Sequence, residues 1–571
     1  MGNTKKIKTG FIICLKQKKN HRNNQILAQN KAHRRSSRKE KQQEWRIPHG
    51  SMLLNAANVY SIHGKVPKLT NLFSCKEIHK LFEDSGYEHK DYRNSLWQTM
   101  GFFVLSFVFA ALAGNASLAH VQLEYNHLCA LANVKPASPR TVERSMEQSK
   151  AISAAMKALA SKFITSYHQL VDNLDYITVG ADIVQKLKKL GDIDNIRLSD
   201  GSEYRLAREE NDGDCKGKTV ASRKLHAAMD LVRNCLAKLN LGSATSDERY
   251  AFIENTNSQH EGCTLDLLDA GYNSEELKNT INSRGDKFII KGRNQLNPSV
   301  RCVTKYEVNY DSNGNYNIGS IVSKKEFNSA TKLSDLIKNG TVVAYEISQG
   351  KIIGYCYDLV LSDGFRLLLI YNPKNKSFNP NKQRSYWVFL NTNLSLDFNI
   401  EVVASLYRLR WQIEIMFLAH KSLGSIESSP DHNSHTGDIC VYAAIIAHVL
   451  KMYIAYQSTN DYLLNKEQQQ FCRDSDAKPD PVGKPSGVLM VSMQKAASHL
   501  GSYVSSWLLY AINSKDMVTE KVIYQESADV CAIIAYTVRY SRVSAKTMSS
   551  GKSIFSTIAT IERCVRATDT G

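Results

Sequence analysis

Three carboxylates in this sequence stand where folding can bring them together. Asp200 follows the apolar-alternating run of "NIRLSDGS" (195–202), Asp269 follows "CTLDLL" in "LLDAGY", and Glu414 lies within "YRLRWQIEIMFLAHK" (407–421). If the first two runs are neighbouring strands, both aspartates emerge at one sheet edge, and a helix carrying Glu414 can reach the same place. Three converging carboxylates repel one another unless cations lie between them. Two Mg²⁺ or Mn²⁺ ions about 3.5 to 4 Å apart are the usual solution, one activating a water or hydroxyl and the other stabilising the leaving oxygen in phosphodiester cleavage. Oxygen-only ligands suit such hard ions. Singly, each acid has a plainer reading: Asp200 and Asp269 as turn residues ahead of glycines, Glu414 as half of a surface ion pair. Asp192 and Asp194 compete for the first position, but they sit in "LGDIDN", which reads as a turn.

The Glu414 segment adds cations. On a helical wheel of about 100° per residue with Tyr407 at zero, Arg410, Glu414 and Lys421 fall at roughly 300°, 340° and 320°. Leu406, Leu409, Ile413, Met416 and Phe417 form a separate apolar face. With Asn399 as N-cap and Gly424 as C′ residue, one helix over about 400–423 is expected. The polar stripe is either a solvated face with Arg410 and Glu414 paired at i,i+4, or a metal-binding carboxylate flanked by phosphate contacts.

The elements that must position these groups follow from the texture of the chain. "NIRLSDGS", "KLHAAMDLV" and "CLAKLNLG" read as three successive strands, and "CTLDLL", the helix "NSEELKNTINSRG" and the strand "KFIIKGR" complete a mixed α/β sheet. Residues 301–395 are aromatic and β-branched runs between turns, a β-rich insertion. Within it Tyr386 and Trp387 are either core or a surface for an unpaired base. The expected division is a basic flexible arm (1–66), a helical DNA-binding domain (67–190), the core's first part (191–300), the insertion (301–395), the core's second part (396–473) and a C-terminal helical region (474–571). In "HLCALANVKPASPRTVERSMEQ" (127–148), Ser138 can cap a second helix beginning at Pro139, with Arg140 and Arg144 on one face. That segment is either a helix-turn-helix reading a DNA major groove or a generic helical hairpin.

The bulk properties agree with such a partner. The 571 residues carry 73 Lys/Arg against 55 Asp/Glu, a net charge of +18, which favours a polyanion, most simply nucleic acid. Fourteen Lys/Arg fall within residues 1–46, and both Met1 and Met52 are possible starts. Twelve cysteines from Cys14 to Cys564 include no C-x-x-C pair, which argues for free thiols in a reducing, cytoplasmic setting. "GFFVLSFVFAALAG" (101–114) is short of the roughly 20 residues a membrane span needs, and "ICVYAAIIAHVLKMYIAY" (439–456) carries His448 and Lys451; both read as buried helices, so no membrane partner is expected. "HEGC" and "DHNSH" lack a partner pair at zinc-site spacing. No P-loop or dinucleotide glycine pattern is present, so no nucleotide cofactor is expected.

Tyr407, Arg410, Glu414 and Lys421 have the spacing Y-x2-R-x3-E-x6-K, which resembles the signature of the insertion-sequence-four family of bacterial DDE transposases. "LSDGS", "LLDAGY" and "NTNL" (391–394) resemble that family's blocks in the same order, over roughly residues 190 to 450. The resemblance implies an RNase H-like catalytic core with a β-rich insertion, the triad Asp200, Asp269 and Glu414, and two Mg²⁺ or Mn²⁺ ions. It further implies that Tyr407, Arg410 and Lys421 contact transposon-end DNA near the scissile phosphate, and that a homodimer acts in a synaptic complex on element ends and target DNA. An inactive or repurposed DNA-binding copy and an RNase H-like nuclease are the competing readings.

Overall fold

The computed structural model describes residues 72–88, 100–131, 138–205, 222–256, 262–310, 316–372, 380–424, 434–473, 488–508 and 557–563, single positions apart. The chain divides into two units, Met1–Leu53 and Leu54–Gly571, and the described residues all belong to the second. The expected basic arm, the proline-containing segment 474–487 and most of the chain beyond 508 lie outside them.

The helical segment comes first: α1 (Cys75–Asp84), α2 (Met100–Ala113), α3 (Leu118–Leu131), α4 (Thr141–Ser145) and α5 (Ser149–Asp172). Nearly every residue of α2 is buried, as its uniformly apolar sequence requires. The helix expected to start at Pro139 is much shorter than its sequence suggested. Its N-cap is Arg140, with no side-chain cap, and it ends at Ser145, passing through a 3₁₀ turn (Met146–Gln148) into α5. Ser138 instead closes a turn, its carbonyl accepting from Thr141 N at 2.9 Å.

A further helix, α6 (Val179–Gly191), capped by Thr178 and closed by Asp192 in a left-handed conformation, leads into the sheet. The strands are β1 (Ile193–Arg205), β2 (Ser222–Asp230), β3 (Cys235–Ser243), β4 (Cys263–Leu268) and β5 (Lys287–Lys291), with α7 (Glu248–Thr256) before β4 and α8 (Glu275–Ser283) before β5. Their spatial order is β3-β2-β1-β4-β5, antiparallel as far as β1 and parallel from β1 through β4 to β5. This is the RNase H-like arrangement. Strand β4 is covered on both faces, as a parallel strand must be. Its one interior charge, Asp266, is met by Arg197 on β1 through two hydrogen bonds of 2.7 and 2.9 Å.

The insertion supplies β6 (Ser299–Tyr310), β7 (Tyr316–Lys332), α9 (Leu333–Lys338), β8 (Tyr345–Ser348), β9 (Lys351–Leu361), β10 (Arg366–Tyr371) and β11 (Trp387–Thr392). It does not form a sheet of its own. Strand β11 pairs antiparallel with β5, so one sheet of eleven strands runs β3-β2-β1-β4-β5-β11-β10-β9-β6-β7, with β8 pairing β9. Tyr386 and Trp387 are core residues: both are buried, and Trp387 Nε1 donates to Tyr355 O at 3.0 Å.

The expected single helix over 400–423 is two, α10 (Ile400–Arg408) and α11 (Trp411–Gly424). Asn399 caps the first as expected, accepting from Val402 N at 2.9 Å. The break is a tightened turn: Leu409, Arg410, Gln412 and Ile413 each donate to the carbonyl three residues back. No glycine or proline marks it. Next, α12 (Ser434–Arg473) packs against α2, α5 and α11, and α13 (Met493–His499) against α11 and α12. Ser434–Leu464 is long and apolar enough to cross a membrane, but the apolar window that meets this test is wholly buried within the protein. Tyr204 and Arg223, at 2.5 and 2.7 Å from the Asp438 carboxylate, fasten the start of α12 to β1 and β2.

Candidate active site at the edge of the parallel strands

Strands β1 and β4 are in register as far as Ser199 and Leu268, so Asp200 and Asp269 follow the last shared rung side by side. Adjacent strands lie about 4.8 Å apart. Asp200 is not the end of its strand, as the sequence suggested. β1 continues to Arg205 as an antiparallel ribbon with β2, while β4 stops and turns through Ala270–Tyr272. Asp192 and Asp194 sit at the opposite end of β1, where Asp192 closes α6 and Asp194 accepts from Cys263 N at 2.9 Å.

Glu414 enters from the first turn of α11, which packs on β1. Arg410, in the tightened turn, ties it to the sheet: Nη1 donates to Asp200 Oδ2 at 3.1 Å and Nη2 pairs with Glu414 Oε1. The i,i+4 pair of the plainer sequence reading therefore exists, and it lies inside the acidic site. Asp200 Oδ1 accepts from Gly201 N at 2.8 Å. Lys291, at the end of β5, stands 3.7 Å from Asp269 Oδ1, too far for a hydrogen bond, and that oxygen is buried without a hydrogen-bond partner.

Burial pushes the Asp200 carboxyl above the usual carboxylate range, with Glu248 and Asp269 adding to the effect and Arg410 and the Gly201 N–H opposing it. Burial also works against the charge of Arg410, but Tyr407, Asp200, Glu414 and Asp269 outweigh it and strengthen the guanidinium's hold on its proton. The Tyr407 hydroxyl, at the end of α10, is buried beside Arg410, and burial holds it in the protonated form. Lys421 is in the last turn of α11, half-buried. Arg140 and Arg144 are both exposed, on the separate helical segment.

Three charged groups here, Glu248, Lys224 and Lys291, were not singled out in the sequence. Glu248 begins α7 and pairs with Lys224 of β2. Glu248 stands in the polar stretch "TSDERY", away from any strand end, and nothing in that stretch distinguishes it. Only the packing of α7 beside the Ala270–Tyr272 turn brings it in.

Among the described residues, no three His, Cys, Asp or Glu side chains stand close enough to hold a metal ion. The Arg410 guanidinium lies between Asp200 and Glu414 instead. The donor chemistry nevertheless fits a hard divalent cation, because the groups are carboxylates and Asp269 Oδ1 is a buried oxygen with no donor.

Residues 193–431 match the family model of the transposase DDE domain. The matched span runs from the start of β1 past α11 and contains Asp200, Asp269 and Glu414, which supports reading the chain as a DDE transposase. No curated protein matches the sequence. Among solved structures, the piggyBac transposase synaptic complex with hairpin DNA, determined by cryo-electron microscopy, is similar over 84% of this chain and 90% of its own. The identity is 10% and the TM-score 0.35, too loose a likeness to add to the topology above.

Proposed function

We propose that this chain is a DNA transposase of the insertion-sequence-four type, with Asp200, Asp269 and Glu414 as its catalytic carboxylates. One observation carries the reading: two aspartates at the same end of neighbouring parallel strands, joined to a helix-borne glutamate through Arg410. The substrate is the inverted-repeat ends of the element, and the reaction is cleavage followed by strand transfer into target DNA, with two copies of the chain acting together.

In the first step the oxygen of water attacks the scissile phosphorus, the bond to the 3′ oxygen breaks, and that oxygen takes up a proton, leaving a 3′-hydroxyl and a 5′-phosphate. In the second step the 3′-hydroxyl attacks a target phosphodiester, forming one P–O bond as another breaks, so no nucleotide is consumed. Two Mg²⁺ or Mn²⁺ ions, when bound, make the attacking oxygen more acidic and stabilise the leaving one. Asp200, Asp269 and Glu414 are the residues that would hold them. Arg410 neutralises the acids in their absence and turns to the phosphate when they are satisfied, with Lys421 on the same helix as a second phosphate contact and the protonated Tyr407 hydroxyl as a donor.

The test is incubation with DNA carrying the element's flanking inverted repeats, target plasmid and Mg²⁺. Nicks leaving 3′-hydroxyls, followed by joined products, are expected. Nicking without joining would favour the nuclease reading, and end binding without nicking the repurposed DNA-binding copy.

A further inference from the structure

Glu248 lies between Gly201, which follows Asp200 on β1, and Gly271 in the turn that follows Asp269. A Cβ at Gly201, next to Asp200, would sit 3.0 Å from Glu248 Oε1 and 2.5 Å from Lys224 Cε. A Cβ at Gly271, two residues beyond Asp269, would sit 2.8 Å from Glu248 Oε2. Each oxygen of this one carboxylate therefore occupies space that a glycine leaves open beside a site aspartate. The helix it begins packs on β1, β2, β3 and the Ala270–Tyr272 turn, so the placement is fixed from several sides.

Asp200, Asp269, Glu414 and Glu248 are faced by Arg410, Lys224 and Lys291, which leaves this group of side chains one negative charge in excess.

We propose that Glu248 is a fourth acidic group of the site, adding its charge to the hold on a hard divalent cation between Asp200 on β1 and Asp269 at the end of β4. This rests on the metal-dependent reading above. Glu248 is a positioning residue: it acts through the electrostatics and water shell of the site, as groups behind first ligands do. Lys224 restrains it until the cation arrives. The plain alternative is an ion pair that does nothing but pin α7 to β2.

The two differ in the sign of an effect. If the pair is only structural, removing either partner does the same thing. If Glu248 serves the cation, removing Glu248 weakens binding, and removing Lys224 strengthens it by freeing the carboxylate. Mn²⁺ titration of the full-length, DNA-free protein, followed by electron paramagnetic resonance, reads this directly. Glu248→Gln is expected to weaken Mn²⁺ binding about tenfold, and Lys224→Gln to tighten it. Unchanged affinity in Glu248→Gln, or weakening in both variants, overturns the proposal. Lys224→Gln keeps all four carboxylates, so its direction decides even if Glu248→Gln fails to fold. Asp200→Asn separates the two levels: a wild type that binds no Mn²⁺ overturns the metal reading and this proposal together, whereas loss in Asp200→Asn with full binding in Glu248→Gln overturns the role of Glu248 alone.

Discussion

Arg410 Nη1 donates to Asp200 Oδ2 at 3.1 Å while Nη2 of the same guanidinium pairs with Glu414, so one side chain closes the gap between sheet and helix. Removing it leaves two carboxylates facing each other without a counter-charge. Arg410→Ala should lower metal-free stability by about 1 to 3 kcal/mol, and Mg²⁺ should restore more of the melting temperature than it adds to wild type. Thermal melts with and without Mg²⁺ measure both. Equal Mg²⁺ effects in the two proteins would mean that Arg410 does not occupy the cation's place.

Behind Glu414, the ring of His420 on α11 meets His448 of α12 edge-on, with centroids 4.5 Å apart. Burial, with Lys451 adding to it, holds His420 down to about 4, and His448 is pushed well below its ordinary range for the same reason, with His420 and Lys451 contributing. A base depressed on folding stabilises the fold fully above its unfolded value near 6.5, and that contribution is lost as the pH falls toward the folded value. For His420 the loss amounts to about 3 kcal/mol at most. His420→Phe, which also removes ring nitrogens that have no partners, should lose less stability between about pH 7 and pH 4.5 than wild type does. Urea unfolding at the two pH values checks it, and equal losses would place the acid sensitivity elsewhere.

Lys421 shares the helix of Glu414 and reaches the surface a turn or two beyond it. As a phosphate contact it should contribute affinity without sequence preference. Lys421→Gln should weaken end binding and random binding alike, and reduce the log–log salt slope by about one unit. An unchanged slope in a folded variant would return Lys421 to an ordinary surface role.

Sequence discrimination needs contacts to base edges. Arg140 and Arg144 are exposed, one before and one within the five-residue α4, and Val142 N donates to Gln122 at 3.0 Å, which docks α4 on α3. Either substitution to alanine should cost about 1 to 3 kcal/mol of discrimination against altered end sequences. A parallel loss on specific and random DNA, measured by competition binding, would make them backbone contacts.

What the sequence made legible follows from which residues had to be buried. The strands β1 to β5 show because their apolar runs serve a sheet with covered faces, and the aspartates show because they stand where those runs stop. By contrast β7 runs seventeen residues along the sheet's edge with side chains such as Lys324, Lys325 and Glu326 exposed, so it carries no apolar pattern to read. The break at Leu409–Arg410 was hidden for the opposite reason: the periodicity of Leu406, Leu409 and Ile413 survives a tightened turn. Glu248 was invisible because its position depends on how α7 packs, and Gly201 and Gly271 reveal their purpose only once its carboxylate is seen against them.

The central claim is that Asp200, Asp269 and Glu414 act together on a phosphodiester, and single isosteric substitutions test it most directly. Asp200→Asn, Asp269→Asn and Glu414→Gln should each abolish Mg²⁺-dependent strand cleavage of element-end DNA while leaving end binding nearly intact, measured on the same folded preparations. Cleavage within about tenfold of wild type for any one of them, a barrier change of only about 1.4 kcal/mol, would contradict the account by removing that residue from the triad.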